Sequence, residues 1–319
     1  MKPVIKTEGL TKHYYVGKKV IHALDNINLC VNEKEIMGLV GESGSGKSTF
    51  GKCIIGLENS DSGNIYFEDL NTETLSRFER KKLCQRRQMV FQNPFSSFNP
   101  KIPIGKNLMR VCRYYNFSKQ DAKKRLEELM VMVNLGKEIL KRLPGELSGG
   151  QLQRLALVRA MISNPKFIVA DEAVSALDIS VQAQVLNLFV DMRDTMDLSI
   201  LFISHDLNVV QQICDRVAVL YLGQIIEIGT VSEVYDDTRH PYTESLILAK
   251  PKEHPNESKE EINFKGDGLS AVDVSEGCRF FGKCPYGKEG LCNKGIPELR
   301  KVSGEHYTSC VRDRAEWTR

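Results

Sequence analysis

The passage that most constrains this chain is Ile36–Ser48, IMGLVGESGSGKS. Five apolar residues run without a break into a glycine-rich loop, and a helix-forming stretch opens near Lys47. That order predicts a buried strand, a tight loop and a helix N-terminus. Gly41, Gly44 and Gly46 let backbone N–H groups converge on one point, where the helix adds the positive end of its dipole. Such a nest suits phosphate oxygens. The residues Gly41-Glu42-Ser43-Gly44-Ser45-Gly46-Lys47-Ser48 fit G-x-x-x-x-G-K-[ST]. Lys47 is expected to reach the β- and γ-phosphates of a nucleotide and Ser48 to hold Mg²⁺, with Ser43, Ser45 and Thr49 as further phosphate contacts. A flexible Gly/Ser connector would share this composition, but not the strand before it and the helix after it.

The remaining pattern supplies a sheet behind that loop. Ile27, Leu29 and Val31 alternate with Asn28 and Asn32, as in a half-buried strand. KFIVAD and LSILFIS read as buried strands, and VAVLYLG and QIIEIGT as a strand pair. Helices are expected over residues 119–133, after Ser148 and from about Ser180. This alternation indicates an α/β fold with a largely parallel sheet. No stretch of 18 apolar residues occurs, and MKPVIKTEGLTKHYY has no apolar signal region, so a cytoplasmic location is expected. A formal charge of +3 gives no electrostatic case for nucleic acid.

Two further segments carry chemistry. Phe167–Glu172 is an apolar strand ending in two acids: Asp171 fits a Mg²⁺ partner and Glu172 a base for the attacking water. Alone, such a pair is as well read as a solvated strand end; beside a phosphate loop it gains meaning. Leu147-Ser148-Gly149-Gly150-Gln151 is a second glycine-rich helix start, in which Ser148 caps a helix able to face a phosphate.

This last segment resembles the signature of ATP-binding-cassette (ABC) ATPases. The resemblance extends over residues 1–250 and implies a P-loop NTPase core with a helical subdomain at about 93–160 and an antiparallel β-subdomain. It implies that Ser148, Gly149, Gly150 and Gln151 serve nucleotide held by a second ATPase subunit. Tyr14 in LTKHYY matches the adenine-stacking aromatic, with Tyr15 the alternative register, and Gln92 in MVFQNP matches the loop glutamine at Mg²⁺ or water. Ser175–Asp178 matches the segment meeting the opposite subunit, and His205 the switch histidine on the γ-phosphate. On their own His205 would read as a satisfied strand-end histidine and Tyr14 as a surface aromatic. Ala173 stands where many relatives have proline, and Leu152 where a polar or basic residue is frequent, a change expected to touch the dimer face.

Three segments narrow the branch: MVFQNPFSSFNPKIPIG, Arg239-His240-Pro241-Tyr242-Thr243 and the tail GCRFFGKCPYGKEGLC…HYTSC. They resemble the oligopeptide/dipeptide importer ATPases, and PFSSFNP leans toward the second of their two nonidentical ATPase subunits. The implied partners are that paralogous ATPase, two membrane permease subunits and an extracellular solute-binding protein. Pro94, Phe95, Phe98 and Pro100 are expected to form the surface that receives a permease coupling helix. The implied location is the cytoplasmic face of the membrane, held peripherally. Nickel, glutathione or oligosaccharide importers share this branch. A soluble ABC ATPase of translation or repair is the rival class, although such chains carry two cassettes, a coiled-coil insertion or a strongly basic segment. A non-enzymatic regulatory cassette conflicts with intact Lys47, Glu172 and His205.

After Lys250 the composition turns polar, and residues 251–277 read as a linker to a cysteine-rich extension at 278–319. Cys278, Cys284, Cys292 and Cys310 do not show the paired C-x2-C spacing of common zinc knuckles. Four thiolates there suit a [4Fe–4S] cluster, a tetrahedral zinc or reduced free thiols, and the family resemblance favours the cluster.

Overall fold

The computed structural model describes residues 2–249, 272 and 276–317; the expected linker therefore lies almost wholly outside the described residues. The chain opens with β1 (Pro3–Val16), β2 (Lys19–Asn32), β3 (Ile36–Val40), α1 (Lys47–Ile55) and β4 (Ser62–Phe67). Next come β5 (Leu70–Asn71), α2 (Arg77–Arg86), β6 (Arg87–Val90), α3 (Ile104–Tyr114), α4 (Lys119–Met132) and α5 (Gly149–Met161). They are followed by β7 (Phe167–Asp171), α6 (Ile179–Met196), β8 (Ser199–Ser204) and α7 (Leu207–Ile213). The last elements are β9 (Arg216–Tyr221), β10 (Gln224–Thr230), α8 (Val231–Asp236), α9 (Pro241–Leu248), β11 (Arg300–Ser303) and β12 (His306–Thr308).

The chain divides into two compact units, the first made of Met1–Val4, Val31–Ile36 and Glu68–Ile203. Its strands β6, β7 and β8 are parallel neighbours, Val90 opposite Ala170 and Asp171 opposite Ile203. Every residue of β7 and β8 is buried, which explains why both read as unbroken apolar runs. The helices follow their apolar spacing. In α3, Ile104, Leu108 and Cys112 recur every four residues and are fully buried. In α4, Ser118 caps the start by accepting from the Asp121 N–H, and Ala122, Leu126, Leu129 and Met130 face inward. The helix α5 packs on β6 and α6.

The second unit comprises Ile5–Cys30, Met37–Phe67 and Ser204–Arg319. Here β3 runs parallel to β9, Met37 opposite Arg216 and Val40 opposite Val219. The strands β9 and β10 form the expected antiparallel pair. Beyond β10 the sheet continues antiparallel through β12 to β11, so the C-terminal extension contributes two strands. Glu227 on β10 and His306 on β12 fasten this addition: both side chains are 0% exposed, and Nε2 lies 2.8 Å from Oε1. Apart from this sheet, β1 pairs antiparallel with β4. No helix among the described residues is long and apolar enough to cross a membrane.

Candidate functional site

In the second unit the loop between β3 and α1 adopts a shape that only glycine allows at two positions. Gly41 has φ +154°, and a Cβ there would lie 2.1 Å from the Leu220 carbonyl oxygen. Gly46, which precedes α1, has φ +110°, and its Cβ would lie 2.1 Å from the Ala23 carbonyl oxygen. Backbone from β9 and β2 therefore closes on both ends of the loop. Lys47, 4% exposed, donates from Nζ to the carbonyls of Gly41 (2.7 Å) and Glu42 (2.8 Å), which holds its ammonium within the curl. Ser45 Oγ is buried with no hydrogen-bond partner among the described residues. A buried orphan hydroxyl beside a lysine fits a site built for an anion's oxygens. Glu42, Ser43 and Gly44 form the exposed crest, while Ser48 and Thr49 are half-buried on the first turn of α1.

Other expected residues of this unit lie outside that loop. Tyr14 is half-buried on β1, with Lys12 Nζ 5.4 Å from its ring centre, whereas Tyr15 is 73% exposed. His205 is exposed directly after β8, ahead of α7, whose start Asp206 caps by accepting from the Asn208 N–H.

The first unit brings Gln92 and Glu172 together: Gln92 Nε2 donates to Glu172 Oε2 at 2.8 Å. Asp171, the last residue of β7, is 7% exposed. Glu172 follows with φ +46°, a left-handed backbone unusual for a residue with a Cβ. Its N–H donates to the Ile203 carbonyl, and its own carbonyl accepts from the N–H and hydroxyl of Ser175. These bonds hold a strained backbone that aims the carboxylate, as happens at functional positions. Asp178 stands as N-cap of α6 without a side-chain cap bond.

In the same unit, Ser148 and Gln151 form a reciprocal capping box at the start of α5. The Gln151 N–H donates to Ser148 Oγ at 3.3 Å, and the Ser148 N–H to Gln151 Oε1 at 3.1 Å. Ser148 and Gly149 are exposed, so the cap presents outward; Gly150 is buried because a Cβ there would lie 2.3 Å from Val181 Cγ1 of α6. Two expectations need correction. Leu152 is 0% exposed and belongs to the core rather than a dimer face, since it sits on the inner side of α5. Of the four residues expected as a coupling surface, Pro94 and Phe98 are buried, and only Phe95 and Pro100 remain exposed. The short 3-10 turn at Pro94–Ser97, capped by Asn93, rolls the other two inward.

The four tail cysteines converge in the second unit, where all of them line one apolar pocket with Phe280, Phe281 and Tyr286. The Cys278 N–H donates to the Cys292 carbonyl, and the Lys288 N–H approaches Cys292 Sγ at 3.5 Å. Burial pushes the Cys278 thiol up to about 12, and Cys284, Cys310 and Cys292 nearby push it the same way. Burial likewise raises Cys310. Four thiolates crowded this way would need a bound cation to balance them. Among the described residues no three His, Cys, Asp or Glu side chains form a group able to hold one metal ion. The four cysteines that line this pocket are thiol donors of the kind that zinc or an iron–sulfur cluster takes.

Sequence reading left two residues of this unit unassigned. Arg279 is buried and bonds the Leu222 carbonyl and the Asp25 carboxylate. Tyr242 places its hydroxyl on the Glu42 N–H. The only signal for either was its place in a branch-specific segment, C-R-F-F or H-P-Y-T.

Comparisons with known proteins identify the family. The ABC transporter family profile matches residues 24–175, and the profile for the oligopeptide/dipeptide transporter C-terminal region matches residues 226–292. Among solved structures, the post-hydrolysis dimer of the ATP-binding cassette MJ0796 with ADP and phosphate shares 29% identity at TM-score 0.65, covering 71% of this chain and 98% of that one. The cbiO1 subunit from Clostridium perfringens shares 25% identity at TM-score 0.67, covering 74% of this chain and 92% of that one. The chain belongs to the ABC transporter family; its fold is that of an ABC ATPase, and it is an ATPase. Its relatives place it among the peptide-import ATP-binding proteins. A putative peptide import ATP-binding protein of Brucella ovis is 40% identical over 98% of both chains. The oligopeptide transport ATP-binding protein OppF of Salmonella typhimurium is 40% identical over 94% of this chain and 90% of its own. The di/tripeptide transport ATP-binding protein DppF of Pseudomonas aeruginosa is 38% identical over 94% and 95%.

Proposed function

We propose that this chain hydrolyses ATP to drive the import of oligopeptides or dipeptides through a membrane permease. The observation that carries the reading is the 40% identity to peptide-import ATP-binding proteins over nearly the whole chain, the tail included. Lys47 and the loop N–H groups bind the phosphates, Ser148 and Gly149 present a second helix start to nucleotide on a neighbouring ATPase subunit, and Tyr14 stacks on the base. That neighbour is a paralogous ATPase. Ser48, Gln92 and Asp171 would hold Mg²⁺ through the hard oxygen donors it prefers, and that ion would supply charge neutralisation at the phosphates. Glu172 accepts a proton from the attacking water, Gln92 orients the Glu172 carboxylate, and His205 contacts the γ-phosphate.

Binding of ATP closes two ATPase subunits and hydrolysis reopens them, a cycle transmitted to two permease subunits loaded by an extracellular solute-binding protein. Phe95 and Pro100 are the exposed apolar residues left to meet the permease at the cytoplasmic face of the membrane. Residues 1–250 form the ATPase domain and 278–319 the extension. In that extension Cys278, Cys284, Cys292 and Cys310 would hold a [4Fe–4S] cluster, which would supply a cross-link among loops that have little apolar core of their own. Protein purified anaerobically without iron and labile sulfide would refute that assignment. The transport assignment is tested by uptake of labelled di- and oligopeptides in cells lacking redundant transporters, with wild-type or Glu172→Gln protein. Loss of peptide uptake with normal uptake of an unrelated solute is expected. Unchanged peptide uptake overturns the cargo and points to nickel, glutathione or sugars.

A further inference from the structure

Tyr242, at the start of α9, sits at the end of a set of contacts that hydrolysis does not use. Its hydroxyl accepts a hydrogen bond from the Glu42 backbone N–H at 2.8 Å, across two hundred residues of sequence. The carbonyl on the same peptide unit, that of Gly41, accepts from Lys47 Nζ at 2.7 Å. Tyr242 and Lys47 thus grip one peptide plane of the phosphate loop from opposite ends. The Tyr242 side chain is 1% exposed, and burial holds its phenol well above the usual range, so the hydroxyl stays neutral.

The Tyr242 ring is wedged by the cysteine-rich segment. Its centre lies 4.4 Å from Tyr221 and 5.5 Å from Phe280, and Tyr221 and Phe280 are themselves 5.5 Å apart. Phe280 stands between Cys278 and Cys284 in sequence and is 2% exposed. Its neighbour Arg279 donates to the Leu222 carbonyl and to the Asp25 carboxylate, bracing the turn between β9 and β10. The next residue of that turn, Gly223, donates its N–H to the Ser45 carbonyl of the phosphate loop at 2.8 Å. Two struts therefore rise from Arg279 and Phe280 and reach the loop at Ser45 and Glu42. Close-packed rings and buried hydrogen bonds transmit displacement because they leave no slack.

We propose that Tyr242 is a positioning residue for the phosphate loop, braced by Phe280 and Arg279, so that ATP affinity depends on the packing of the cysteine-rich segment. The proposal rests on the reading of Gly41–Ser48 as the ATP phosphate site. It assigns to the H-P-Y-T and C-R-F-F segments one shared task, holding the Gly41–Glu42 peptide where Lys47 meets it.

The test uses the full chain and Tyr242→Phe, which keeps the ring and removes the hydroxyl. The ATP dissociation constant and KM should rise about three- to tenfold, the worth of one hydrogen bond, with kcat unchanged. A purely structural role would lower the melting temperature and leave KM alone. Lys47→Ala is measured alongside. Wild-type ATP binding by Lys47→Ala would defeat the phosphate-site reading itself, whereas lost binding there with a wild-type constant in Tyr242→Phe overturns this proposal alone. The bracing is tested by linkage, since coupled sites affect each other by the same factor. A nonhydrolysable ATP analogue should slow amide hydrogen exchange across residues 278–284, read by peptide mass spectrometry, in wild-type protein and not in Tyr242→Phe. Equal exchange with and without the analogue in wild type overturns the link to the cysteine segment.

Discussion

Glu172→Gln removes a charge and a proton acceptor while leaving the side chain's shape intact. In the native site Oε2 accepts from Gln92 Nε2 at 2.8 Å, and an amide in the same place can still present an oxygen to that donor. The loop geometry should therefore survive, and the loss should fall on the chemical step. A positioned general base contributes about 10²- to 10⁴-fold, or about 2.7–5.4 kcal/mol of barrier at 1.36 kcal/mol per tenfold. Single-turnover hydrolysis, with ATP binding confirmed at the same protein concentration, reads this directly. A rate within threefold of wild type would refute Glu172 as the base. Glu172→Gly separates chemistry from backbone. It loses the same carboxylate, yet it relieves the φ of +46°, worth about 1–2 kcal/mol for a residue with a Cβ. Glycine's extra chain entropy offsets about 0.5–1 kcal/mol of that. The glycine variant should thus be inactive and at least as stable as wild type in urea melts. A destabilisation beyond about 1 kcal/mol would show that the left-handed turn carries no strain.

Gly46→Ala places a Cβ 2.1 Å from the Ala23 carbonyl at a φ of +110°; nucleotide titration should show affinity weakened at least about tenfold, since strain and collision together exceed 1.4 kcal/mol. His306→Ala leaves Glu227, 0% exposed, without its partner on β12. Thermal or urea unfolding should show a loss of about 1–3 kcal/mol, the cost of a lost buried hydrogen bond, with amide exchange quickened at β12 and β11. Glu68 gives a pH signature. Burial alone would raise its carboxyl, but bonds from Lys166 and Arg86 outweigh that and hold it below the ordinary range. A depressed folded pKa means stability present above about pH 4.5 and lost as pH falls through the folded value. Urea midpoints measured from pH 7 down to 3 should therefore fall less steeply in Glu68→Gln than in wild type.

The phosphate loop, the Ser148 cap and the apolar strands were legible because each depends on neighbours in sequence. Glycine at 41 and 46, a lysine one place on and apolar residues before them specify a local shape wherever the chain goes. The inward turn of Pro94 and Phe98 was not legible, because a proline-rich loop reads as surface until the Asn93-capped turn folds two of its residues under. Leu152 misled for the opposite reason: one position on a helix decides between core and rim, and only the packing of α5 on β6 and α6 settles which. The strands β11 and β12 gave little apolar alternation, since Arg300, Lys301 and Ser303 are exposed and the buried anchor is the polar His306.

By itself the sequence determined the class of chemistry: a loop for phosphate, a strand ending in Asp171 and Glu172, a capped second helix start and four cysteines in one tail. These follow from local stereochemistry and residue type. Tertiary structure alone decided that Glu172 is aimed by a left-handed backbone, that Gln92 reaches its carboxylate across eighty residues, and that the four cysteines meet in one pocket. It alone set the Tyr242 hydroxyl on Glu42. Such contacts are long-range: a tyrosine carries no local mark of which distant N–H it will meet, because the sheet between them fixes that distance.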